Sequence, residues 1–203
     1  MTEVTVASKI GQYDSKRELV QVWDPLVRIF HWMLASCFFI TYLAEDDWLT
    51  LHVGTGYLIL ALLFIRVVWG FFGPKHARWG DLIREPSEII QYLKDSFRVR
   101  ATHYLGHNPA GGAMVVALIT SLLVTGISGL AVYGTQELSG PLATLLSGLP
   151  RAWSHVFEDV HEAMVNFTLL LIVFHVFGVV VASFQHGENL IKSMFTGEKR
   201  QQK

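Results

Sequence analysis

The side chains with reactive potential in this 203-residue chain are nine histidines and a single cysteine, Cys37. One thiol closes no intramolecular disulfide, builds no thiolate cage and belongs to no CxxCH attachment motif, so a bound metal must sit on imidazole or carboxylate. Four histidines, His31, His52, His161 and His175, fall within long apolar runs. Ionisable groups at such positions are costly and mark function. His161 and His175 are 14 residues apart. On one helix that spacing returns them to within about 40° of the same face and separates them by about 21 Å, which suits two stacked sites rather than one. A single zinc or di-iron site draws ligands from i, i+3 or i+4, as in HExxH, and the apolar runs hold no such pair.

Depth sorts the four further. His31 lies near the start of the first run and His175 well into the last, whereas His52 and His161 lie near the starts of the second and the last. With successive runs crossing in alternate directions, His52 meets His161 at one level and His31 meets His175 at the other. Each pair then offers one imidazole from each of two helices, as bis-His ligation of a planar haem requires. The competing reading of any one histidine in such a run is a hydrogen-bonded packing or proton-relay residue. Gly56 follows His52 by one turn and leaves room on that face for a macrocycle, or equally for close helix packing. Arg66, 14 residues after His52, shares its face at the level of the second pair. It is placed either to neutralise a haem propionate or to snorkel to headgroups. His76, His103, His107, His155 and His186 fall in loops or flank the last run and are read as ordinary loop side chains.

The elements that must position these residues are membrane helices. The chain is 51% hydrophobic and only 16% charged, against roughly 25% charged in soluble domains. Its charges cluster between apolar runs. Four stretches approach or meet the roughly 20 residues that cross a bilayer core: Val27–Ala44, Leu51–Phe72, Ala113–Tyr133 and Val160–Phe184. None alternates like a strand, so the expected fold is all-α, a four-helix transmembrane bundle. The expected organisation is a tail over 1–26, a membrane domain over 27–184 and a tail over 185–203. The first 26 residues hold no apolar core before a small-residue cleavage site, so no signal peptide is expected. Net charge is −1 and no dense basic tract occurs, so nucleic acid is not an expected partner and membrane lipid is.

Lysine and arginine fall before the first span, between the second and third, and after the fourth; the other two connections carry only Arg151. Both termini are therefore expected in the cytoplasm, with the His31/His175 level inner and the His52/His161 level outer. The outer side is acidic, with Glu45, Asp46, Asp47, Glu137, Glu158, Asp159 and Glu162. Ser87–Phe97 follows Pro86 with an amphipathic pattern and is expected to lie on the inner surface. Pro141–Gly148 is expected to form a turn or two at the outer surface. The third span, with Thr125, Gly126, Ser128 and Gly129 but no histidine, reads as a packing helix.

The run Trp23-Asp24-Pro25-Leu26-Val27-Arg28-Ile29-Phe30-His31-Trp32 resembles the opening of the bacterial cytochrome b561 family, which includes b-type cytochrome subunits of nickel–iron hydrogenases. Leu51-His52 with Gly54, Gly56 and Arg66-Val67-Val68-Trp69-Gly70 is similar to its second helix. Gly106-His107-Asn108-Pro109-Ala110-Gly111-Gly112 is similar to the loop entering its third, and His161-Glu162 with His175 and Glu188-Asn189-Leu190 to its fourth. The resemblance covers about residues 20–195. It implies a four-helix di-haem b cytochrome of the bacterial inner membrane that exchanges electrons between quinone and a redox partner, with His31, His52, His161 and His175 as ligands. Formate dehydrogenase-like relatives carry an Asn-x-Gly element by the inner haem and quinone. Asn108 and Gly111 are similar in location but not in spacing, and a loop turn explains them as well.

The expected function is therefore relay of electrons between the quinone pool and a periplasmic redox partner, either a c-type cytochrome or a dehydrogenase or hydrogenase subunit. The resemblance also admits an enzyme in its own right, a superoxide oxidase passing electrons from superoxide to quinone. The acidic outer side opposes an anionic substrate. A haem-free transporter or proton channel that uses the histidines as a relay is the alternative from a different class.

Overall fold

The computed structural model describes residues 19–44 and 48–200, so Glu45, Asp46 and Asp47, expected on the acidic outer side, lie outside the described residues. Four helices are long and apolar enough to cross a membrane: α1 (Pro25–Ala44), α2 (Leu49–Phe72), α5 (Pro109–Gln136) and α7 (Ala152–His186). Between them lie the short α3 (Trp79–Leu82), α4 (Pro86–Phe97) and α6 (Ala143–Leu146), and α8 (Leu190–Thr196) follows. A two-stranded antiparallel sheet joins β1 (Leu19–Gln21) to β2 (Glu198–Arg200), so both ends of the described chain meet at one end of the bundle, called here the terminal end.

Local chemistry explains where the helices start. Asp24 accepts from the amides of Leu26 and Val27 at 3.0 and 3.1 Å, capping α1 ahead of Pro25 in its first turn. Asn108 accepts from Gly111 N at 2.7 Å and Pro109 opens α5. All four spans begin earlier than their apolar runs, α1 and α2 by two residues and the other two by more. α5 starts at Pro109 rather than 113 because of its cap, and α7 starts at Ala152 rather than 160, running through the polar Glu158 and Asp159.

The spans pack in two close pairs, α1 with α2 and α5 with α7, joined more lightly through α2 and α5. Phe30, Cys37, Phe38, Ile59, Leu62, Leu63, Ile119 and Leu122 form the shared core. On the α5–α7 seam, Thr168 donates to Ser121 Oγ at 3.1 Å, both fully buried, the kind of small polar contact that joins helices in lipid. Phe64, Phe71, Phe174, Phe177 and Phe184 face outward, as lipid-facing residues do.

The C-terminal segment packs back on the bundle as far as it is described, through residue 200. Gly197 O accepts from Val22 N at 2.9 Å and Trp23 N at 3.0 Å, and Trp32 stacks on Phe195 at 4.3 Å between centroids. Gly197 sits at φ 86 with Gln21, Trp23 and Arg28 crowding the space a Cβ would take, so glycine is required there twice over. α4 buries Tyr92 and leaves Ile90, Leu93 and Phe97 exposed, matching a helix lying at the interface.

Candidate haem-binding site

The four span histidines meet in two pairs, one at each end of the bundle. His52 of α2 faces His161 of α7 with ring centroids 6.2 Å apart, and His31 of α1 faces His175 of α7 at 6.3 Å. Each pair joins helices that do not pack closely along their length. Two imidazoles sharing one metal, with metal–nitrogen bonds of about 2 Å each, have centroids roughly 6 Å apart. Both pairs match that span. Among the described residues no group of three histidine, cysteine or carboxylate side chains is placed to hold a metal ion, so a bare metal ion finds no fuller set of ligands.

At the His52/His161 level each ring is held through Nδ1. His52 Nδ1 lies 2.9 Å from Thr41 O of α1, and His161 Nδ1 lies 2.9 Å from Thr125 O of α5. Nδ1–H donation to a carbonyl fixes the tautomer and leaves the Nε2 lone pair free to ligate. Ser128 Oγ lies 3.4 Å from the same His161 nitrogen. A Cβ on Gly129 would stand 2.8 Å from His161 Cε1, so this glycine is what admits the ring. The third span thus does more than pack: Thr125, Ser128 and Gly129 seat His161. Beside His52, a Cβ on Gly56 would meet nothing within 4 Å, so that face has open room.

The His31/His175 level is richer in unpartnered polar groups. His31 Nδ1 is buried without a hydrogen bond. Arg66 is 2% exposed, its Nη1 has no partner, and its guanidinium lies 5.3 Å from the ring centroid of Trp79. Its burial within the protein rules out the headgroup-snorkelling alternative. Trp79 donates to Val67 O at 3.1 Å and occupies the space a Cβ on Gly70 would need, which accounts for the Trp69-Gly70 exit from α2. A buried cation without a bonded anion calls for a negative group, and a haem carries carboxylates. The donor set, the unpartnered atoms and the open faces together fit two haems.

His107, placed in the loop as an ordinary side chain by sequence, is instead buried against Trp23 at 4.6 Å. Burial first, then the positive charges of Arg66 and Lys199, hold its imidazole down at about 3, with Asp81 pulling the other way, so it stays neutral. His103 is likewise drawn in, with Nε2 3.1 Å from Glu188 Oε1. Asn108 spends its Oδ1 on the α5 cap. His76 pairs with Asp81 at 2.9 Å and His155 approaches Glu158 at 3.7 Å on the surface, both away from the histidine pairs.

The family described as prokaryotic cytochrome b561 matches residues 22–197. Among curated proteins, the chain is 25% identical to a "Probable Ni/Fe-hydrogenase B-type cytochrome subunit" of Rhizobium leguminosarum bv. viciae, over 97% of this chain and 95% of that one. It is 24% identical to proteins of the same description from Bradyrhizobium diazoefficiens, over 96% and 91%, and Azotobacter chroococcum, over 90% and 89%. No solved structure matches.

Proposed function

For a chain that belongs to the prokaryotic cytochrome b561 family, and is therefore a multi-pass b-type cytochrome of the inner membrane working in electron transfer, we propose two haem b groups that relay electrons between quinone and a redox partner across the membrane. The observation that carries this reading is the pair of imidazole pairs, at 6.2 and 6.3 Å, on two levels of one bundle. His52 and His161 hold the outer haem and His31 and His175 the inner one. Haem, when bound, supplies the one-electron chemistry. The chain supplies the rest. Thr41 and Thr125 orient the outer ligands through their carbonyls, Gly129 and Gly56 make room, and Arg66 places a positive charge at the inner level. One continuous helix, α7, carries a ligand to each level 14 residues apart, about 21 Å.

The terminal end faces the cytoplasm in this reading, because basic residues concentrate there. Quinone exchanges electrons at one level, and the partner docks at the other. The names of the relatives favour a hydrogenase subunit as that partner. The exposed outer acids Glu137, Glu158, Asp159 and Glu162 add a surface suited to a basic protein and unsuited to an anion such as superoxide.

Purified in detergent, the chain should yield two haem b per polypeptide by pyridine haemochrome, and added quinol should reduce both in the visible spectrum. One haem or none contradicts the two-level arrangement. Two haems that no quinol reduces and no quinone oxidises contradict the quinone link.

A further inference from the structure

Where α2 ends, at the terminal end of the bundle, the chain leaves a cleft of about 560 Å³ that no histidine lines. Gly70 and Phe71 from the last turns of α2, Lys75 and Arg78 from the turn between α2 and α3, and Trp79 and Asp81 of α3 surround it. Its volume falls within the roughly 300–1,000 Å³ of ordinary small-ligand sites. Gly80 also lines it, and a Cβ there would meet nothing within 4 Å, so that side of the cleft is open.

The charges around this cleft are unbalanced. Asp81 is the one carboxylate among its lining residues, and both of its oxygens are occupied: Oδ2 lies 2.9 Å from His76 Nδ1 and Oδ1 lies 3.6 Å from Arg84 Nη2. Lys75 and Arg78 are exposed, and neither has a carboxylate within ion-pair distance among the described residues. Arg78 is nonetheless anchored, because its Nε donates to Gly73 O at 2.6 Å, just past the end of α2. That bond sets the guanidinium beside the cleft and leaves both Nη groups for another acceptor. An anchored guanidinium and an unpaired ammonium on one space suit a phosphate, which takes the planar fork of arginine in parallel bonds and lysine as a point charge.

The surroundings of the cleft point to the source of that phosphate. Phe64, Val68 and Phe71 are all exposed, and their i, i+4, i+7 spacing sets them on one face of α2. Phe71 both ends this apolar stripe and lines the cleft, so the two are continuous. Trp79 and the basic pair are residue types that settle at headgroup level. A soluble phosphate has no use for the stripe, whereas a lipid fills both. We propose that the cleft is a binding site for an anionic phospholipid, with its phosphate between Lys75 and Arg78 and an acyl chain along Phe71, Val68 and Phe64. Basic pockets beside membrane helices take anionic headgroups in this way. The site uses none of the four paired histidines and does not depend on haem.

The test is native mass spectrometry of the detergent-purified full chain, titrated with dioleoyl phosphatidylglycerol and, separately, with dioleoyl phosphatidylcholine, which has the same chains and phosphate but no net charge. One phosphatidylglycerol should bind per chain more tightly than phosphatidylcholine, by on the order of tenfold or more for two basic side chains. Lys75→Gln combined with Arg78→Gln should abolish that preference. Lys94→Gln combined with Arg98→Gln removes two equally exposed charges from α4 and its end, and should keep it. Lys75→Gln alone, at a side chain without an ion pair, should cut the preference severalfold, and decides the matter if the double variant fails to fold. Millimolar inorganic phosphate should not displace the lipid. Equal affinity for the two lipids, a preference that survives loss of Lys75 and Arg78, or one lost equally with Lys94 and Arg98 overturns the proposal; displacement by inorganic phosphate overturns the lipid as occupant. Bound haem is weighed in the same spectrum, so a failure of the haem reading shows separately.

Discussion

Arg66 is the residue whose surroundings speak most directly about what else occupies the bundle. It is buried at 2% exposure, with Nη1 unpartnered and no carboxylate within ion-pair distance among the described residues. A positive charge so placed favours an added electron nearby. Arg66→Leu should therefore lower the potential of the inner haem, by on the order of 60 mV or more, about a tenfold change in its one-electron equilibrium, and leave the outer one nearly unmoved. Redox titration of the two spectral components reads this directly, and an unshifted inner component removes Arg66 from the account. Residue type and spacing made His31, His52, His161, His175 and Arg66 legible in the sequence. His103 and His107 were not, because their burial comes from Glu188, Lys199 and Trp23, 84 to 96 positions away along the chain. No local pattern reports a contact of that range.

At the scale of elements, the apolar runs announced the four spans, since length and hydropathy are what a bilayer demands. Their starts were less legible. α5 begins where Asn108 and Pro109 cap it, and α7 continues outward through Glu158 and Asp159, beyond the reach of any hydropathy window. The β1–β2 pairing was invisible because three-residue strands show only when distant segments meet, and α8, seven residues behind an Asn189 cap, is too short for a hydropathy signal. The third span was under-read for a different reason: its glycines serve both packing and site. A Cβ on Gly126 would crowd Leu60, and a Cβ on Gly129 would stand only 2.8 Å from His161 Cε1, so Gly129 is what leaves the ring its place. Gly129→Val should displace the His161 ring, so that the haem count falls from two towards one and the inner component survives. Gly148→Ala, where a Cβ meets nothing within 4 Å, is the matched control. Full retention of both haems in Gly129→Val would mean that His161 is not a ligand.

Across the whole molecule, two histidine levels strung along α7 lie at opposite ends of a bundle with two close helix pairs, and under the proposed function they form the electron path between the membrane faces. Besides Leu169 and Ile172 packed against the shared core, α7 meets α1 and α2 through the paired rings. The terminal end adds buried charge, Arg66 and Glu188, while the opposite end presents exposed acids, so the two levels differ in environment and should differ in potential. Which histidines share a haem is the most direct consequence of the two-level arrangement. Change His31, His52, His161 and His175 to alanine one at a time and record the reduced-minus-oxidised spectrum of each variant during a redox titration. His52→Ala and His161→Ala should lose one and the same component, and His31→Ala and His175→Ala the other. Loss of the same component from His31→Ala and His52→Ala would contradict the pairing.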